Sequence, residues 1–243
     1  MRTAARRRTA LAATTLTMAA LVTACGGGED GKSGTEGSAA ASTPSAAPTS
    51  GAAPATPAAK ALSAAELEEL MVADGDLKGY KVEEPRGTVR SAGVILDKDA
   101  CKPIADALFA IPHHLAFASV ERQAVAAGAP MTTVSLGSFE GNNTKDVLPA
   151  LKASATACAG GFTVSVLMDE MRIRSVAPMT VAGGEEVLAW KVKAEVSAGS
   201  FVTSVVVSRT GNTMASFSTT SPARFWDMKQ GQAVIDAQVA KLG

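Results

Sequence analysis

From Gly26 to Lys60 the sequence is built almost entirely of Gly, Ala, Ser, Thr and Pro, and this tract limits where a core can form. Pro44, Pro48, Pro54 and Pro57 interrupt any helix the alanines would start, and nothing large and apolar is present to bury. The tract therefore reads as a disordered tether, and about 35 residues of flexible coil reach on the order of 30 Å r.m.s.. Residues 61–243 remain, about 180 in number, which suits one domain of common size.

Immediately before the tether stands LVTAC, Leu21 to Cys25, an aliphatic residue, small residues and a cysteine in the order of a lipobox. Ahead of it come Arg2, Arg6, Arg7 and Arg8 and then an uncharged, mostly apolar run from Thr9 to Val22, the layout of a secretory signal. That run is short of the roughly 20 apolar residues a spanning helix needs. The expectation is a lipoprotein signal over residues 1–24, lipidation of the Cys25 thiol, and retention at the outer face of the cytoplasmic membrane. A plain secretory signal with Cys25 as an ordinary thiol is the competing reading, against which stands the rarity of free thiols in an oxidising compartment. Arg7 and Arg8 also form a twin-arginine pair compatible with export of a folded chain.

Lys plus Arg and Asp plus Glu both total 23 in 243 residues; losing the four signal arginines leaves 19 against 23, a net charge of −4. A slightly acidic chain has no electrostatic footprint for nucleic acid. Of three cysteines the lipobox takes one. Cys101 and Cys158 remain as an even pair in an exported chain, for which one disulfide is the economical inference and two buried thiols the alternative.

Several motifs look like chemistry and are not. GGGEDGKS, with Gly26, Gly31, Lys32 and Ser33, has Walker A spacing but lies in the tether, with no strand to deliver the loop and no helix to receive phosphate. Asp74, Asp76, Lys78 and Gly79 are similar to the start of an EF-hand loop, yet Lys78 stands where an oxygen ligand is required and Pro85 where a bidentate Glu belongs. His113 and His114, being adjacent, cannot present side by side from a helix or a strand, and they read as a loop pair beside Pro112. Neither a metal nor another cofactor is implied. No G-x-S-x-G, S-x-x-K or H-E-x-x-H occurs, so hydrolase templates find no purchase.

The domain opens with Ser63 and Glu66 at capping-box spacing, predicting a helix from about Ala64 to Ala73. DKDACKP enters a second helix with acidic caps and Pro103 in its first turn, burying Ile104, Ala107 and Leu108. Phe117–Ala127 and Met131–Phe139 read as a hairpin. A third helix, capped by Asn142, Asn143 or Thr144, carries Val147, Leu148, Leu151, Ala155 and Cys158 on one face and stops at Gly160 and Gly161. Strands follow at Phe162–Met168, Met171–Val176, Glu186–Val196, Phe201–Ser208 and Thr213–Phe217, with turns at SAGS and RTGN, and a last helix runs from about Phe225 to Leu242. Consecutive hairpins with helices at both ends predict an α+β domain, an antiparallel β-sheet of about five to seven strands with helices packed on one face.

Alternation places Arg172 and Arg174 on one face of their strand and Lys191, Lys193 and Glu195 together on theirs. If the two strands pair, four cations share a patch in an acidic protein, suited to an anionic envelope ligand such as a phospholipid head group or wall polymer. A solvated sheet face is the plainer reading. Tyr80, Trp190 and Trp226 are expected in core or rim packing.

The helix ending in ADGDLKGYKV, the CKPIADAL helix, the ACAGGFTV helix end and the late hairpins together resemble a group of actinobacterial lipoproteins of unknown function. They are similar, more distantly, to the extracellular sensor domain of mycobacterial PknH-type serine/threonine kinases. The resemblance spans about Leu62 to Leu242 and implies an antiparallel sheet flanked by helices, with a cleft for an unidentified ligand. That sensor domain carries two disulfides, whereas Cys101 and Cys158 supply one. The function expected is a membrane-anchored extracytoplasmic lipoprotein with a non-catalytic ligand-binding or sensor domain. Envelope scaffolding through protein interaction and an unrecognised envelope enzyme are the alternatives.

Overall fold

A computed structural model describes residues 60–87, 89–166 and 169–243, without the side chains of residues 228–230. The expected signal, the Cys25 anchor and the tether as far as residue 59 lie outside the described residues. The first helix, α1 (Ala64–Leu70), starts on the expected capping box, in which the Ser63 side chain accepts from the Glu66 N–H and Glu66 returns to the Ser63 N–H. It stops before Ala73 because Met71 is already extended. Strands β1 (Lys81–Glu83) and β2 (Val94–Leu96) follow, and a 3₁₀ turn at Asp99–Cys101 leads into α2 (Lys102–Leu108) with proline in its first turn. The acidic caps foreseen for α2 are employed elsewhere: Asp97 accepts the Thr163 N–H at 2.9 Å. At the other end of α2, fully buried Ala110 takes the left-handed conformation, with φ 52°.

β3 (Ala118–Val125) and β4 (Met131–Ser138) form the expected hairpin. Helix α3 (Thr144–Ala157) begins at Asn143 without a side-chain cap and ends on Cys158. Beyond it Gly161 turns the chain at φ 93°, where a Cβ would lie 2.2 Å from the Ile173 carbonyl oxygen. β5 (Phe162–Val166), β6 (Asp169–Pro178), β7 (Glu186–Val196), β8 (Gly199–Thr210) and β9 (Thr213–Pro222) then run as a meander, closed by α4 (Met228–Leu242).

The sheet has nine strands in the order β1-β3-β4-β9-β8-β7-β6-β5-β2, all neighbours antiparallel, two or more beyond the number expected. The additions are its two edges, β1 and β2, each of three residues. β9 also outruns its predicted end at Phe217, because its polar STTSP end is paired on both sides, with β4 and β8.

The expectation of helices on one face is corrected by the burial pattern. Val205 and Val207 of β8, with Trp190, Val192, Ala194 and Met214, pack under α2 and α3. Val206 points the other way and joins Ala189, Val134, Leu136, Ala215 and Phe217 under α1 and α4. A strand buried on both faces reads as an unbroken apolar run, which is what Val205, Val206 and Val207 are. The two helical layers are offset. One leaves the β3–β4 end of its sheet face uncovered, and the other leaves the β6, β5 and β2 side of the opposite face uncovered.

Candidate functional site

The basic residues singled out in the sequence do meet. β6 pairs with β7, Arg172 standing opposite Glu195, and a register shift between Ile173 and Ser175 accommodates Arg174. The patch is less free than four cations suggest. Arg174 donates to Glu195 at 2.8 Å, and the Lys191 ammonium lies 3.8 Å from the centre of the Trp226 ring. Arg172 and Lys193 are exposed on this open corner, with Glu170 on the same face. Trp190 is core and Tyr80 packs against the second cluster, as expected of both.

Cys101 and Cys158 form the expected disulfide, both sulfurs buried, joining the start of α2 to the end of α3. Ser154 doubles the link one turn away, donating to the Ala100 carbonyl at 2.7 Å and accepting the Ile104 N–H at 3.3 Å. The α2–α3 pair is thereby a fixed wall over the sheet.

A cleft of about 410 Å³ opens beside that wall, over the uncovered end of the sheet. Its floor is hydroxyl-rich: Thr133 from β4, Ser218 and Thr220 from β9, and Thr203 from β8. Thr203 and Thr220 share a hydrogen bond at 2.9 Å, and Ser218 donates to the Leu108 carbonyl at 2.6 Å, pinning the end of α2 at the cleft margin. Phe109, Met131, Met171 and Phe201 supply apolar walls. Glu121 of β3 faces in, half-buried, and burial raises its carboxyl above the ordinary value. A carboxylate desolvated without a compensating cation is a cost the fold bears at a cleft, a pattern of binding sites. No local signal marks this residue, because the cleft that Glu121 faces is assembled from β4, β9 and β8.

On the other side of α2 lies a smaller cavity of about 170 Å³, roofed by α2 and α3 and rimmed by the loop bearing His113 and His114. The loop placement is as expected, but the two rings do come side by side, with centroids 4.2 Å apart. Burial and then His114 hold the His113 imidazole below its ordinary pKa, against a smaller opposing pull from Asp106. His113 Nδ1 accepts the Leu115 N–H at 3.3 Å. Among the described residues no group of three or more His, Cys, Asp or Glu side chains is placed to hold a metal, and no helix is long and apolar enough to cross a membrane.

No family model matches the chain, and no curated protein matches it. Among solved structures it is similar to the extracellular domain of PknH from Mycobacterium tuberculosis, with a TM-score of 0.55 and 12% identity over 75% of this chain and 97% of that one. At that identity the likeness is one of fold alone.

Proposed function

We propose that the protein is an extracytoplasmic lipoprotein, anchored through lipidated Cys25 and holding on its tether a non-catalytic ligand-binding domain of sensor type. The observation that carries this reading is the cleft of about 410 Å³, floored by hydroxyls and faced by a half-buried Glu121. Clefts of this size with apolar walls and a few converging polar groups are the usual form of a small-molecule site. The likeness in fold to an extracellular domain supports the same compartment, as does the buried disulfide. The test is native mass spectrometry of the protein purified from its own envelope, beside Thr133→Trp, which fills the cleft. A small molecule should travel with the first and not the second, and identical spectra for the two would overturn the assignment. Cys25→Ala should appear in the medium, and a membrane-bound variant would remove the anchor from the proposal.

A second reading rests on the opposite open corner, where Arg172 and Lys193 stand exposed beside the engaged Arg174 and Lys191. That corner would dock the domain on an anionic envelope surface, such as a phospholipid head group or wall polymer, in the manner of a scaffold. Arg172→Glu with Lys193→Glu should abolish sedimentation with anionic vesicles, and unchanged sedimentation would end this reading.

A further inference from the structure

The cavity of about 170 Å³ beneath α2 and α3 has a floor, walls and a mouth of three different chemistries. Its floor is Ser135 of β4 and Ser216 of β9, directly opposite each other in the sheet register. Ser135 is only 2% exposed and Ser216 is partly exposed, and among the described residues no hydrogen bond is seen to either hydroxyl. Ser208 Oγ is the one buried side-chain polar atom without a partner among the described residues, so the Ser135 and Ser216 hydroxyls are not sealed in but open onto the cavity, where they can bond whatever fills it. The walls are apolar, formed by Phe139, Val147, Leu151, Val207 and Met214. At the mouth Lys102 is paired with Asp106, and both engage Ser91, which leaves no net charge to attract an ion.

Size sets the remaining limit. An apolar cavity of about 150 Å³ holds a benzene ring, so this one holds a single ring and one further heavy atom. We propose that it is a binding site for a small neutral phenol-like molecule, an aromatic ring whose one hydroxyl reaches Ser135 and Ser216. The ring replaces solvent against the apolar walls, while the hydroxyl both donates and accepts between the two serines. The site shares no lining residue with the larger cleft, although their floors adjoin where Glu121 stands opposite Ser135 in the register, and it does not rest on that cleft's role.

Phenol and toluene are a matched pair of probes, equal in size and differing only in the hydroxyl. They are titrated into the full-length chain and followed by amide chemical shifts, with Leu136, Leu151 and Ser216 as reporters. Phenol should shift these amides. In Ser135→Ala/Ser216→Ala the ratio of phenol to toluene affinity should fall roughly tenfold, because a floor built for a hydroxyl loses its discrimination when it turns apolar. Leu151→Trp, which fills the cavity, should abolish binding of both while the thermal transition stays cooperative. Absence of shifts at these amides with millimolar phenol, or an unchanged affinity ratio in the double variant, would overturn the proposal, as would phenol binding retained in Leu151→Trp. Water alone would then fill the space.

Discussion

Replacing both Cys101 and Cys158 by alanine removes a cross-link between residues 57 apart in sequence. Chain entropy alone then restores about 4 kcal/mol to the unfolded ensemble. The two sulfurs are buried, at 0% and 1% exposure, and deleting them adds on the order of 1 kcal/mol of lost packing. For a domain of this size each kcal/mol moves Tm by about 2–4 °C, so the drop should be about 10–20 °C. The native geometry should survive, because Ser154 still ties α3 to Ala100 and Ile104 and the entropic effect acts on the unfolded chain. Far-UV circular dichroism melts of wild type and double variant measure the first expectation, and an amide spectrum changed only near α2 and α3 checks the second. A Tm lowered by less than about 4 °C, with wild type shown free of reactive thiols, would refute the entropic reasoning.

Glu121→Gln should raise stability at pH 7. The folded-state pKa of Glu121 lies above its unfolded value, so the folded state holds the extra proton and loses stability as pH rises through that interval. The gain in Tm should therefore vanish in acid, below the ordinary carboxylate range; a pH-independent gain would contradict it. Gln238, fully buried on α4, accepts the Val72 N–H at 2.9 Å and donates to the Leu70 carbonyl at 2.8 Å. Gln238→Leu strands both groups and should cost about 3 kcal/mol in urea unfolding, with the slope unchanged. Gly161→Ala should lower stability by more than about 2 kcal/mol in the same assay, since both the φ of 93° and the Ile173 carbonyl oppose a Cβ.

Features set by near neighbours in the chain were legible beforehand. The Ser63–Glu66 box, the Gly211–Asn212 turn between Thr210 and Thr213, and the pairing of β6 with β7 each depend on residues close in sequence. Features set by distant partners were not. β2 is three residues long and owes its existence to β5, with Ile95 opposite Ser165. The covering of both sheet faces was encoded in the unbroken Val205–Val207 run, but an apolar run of that length looks the same in any buried strand. The cleft and the cavity need β4, β9 and β8 side by side, and strand order is not a property of any one stretch. Gln238 carries no local mark at all: a glutamine in a helix is ordinary until α1 ends against it.

An open sheet nine strands wide invites a second copy to zip onto its flank. Here each flank is a hem of three residues, and the one formed by β1 bears the charges of Lys81 and Glu83. So brief a margin gives a stranger few backbone bonds to set against the entropy of lining up.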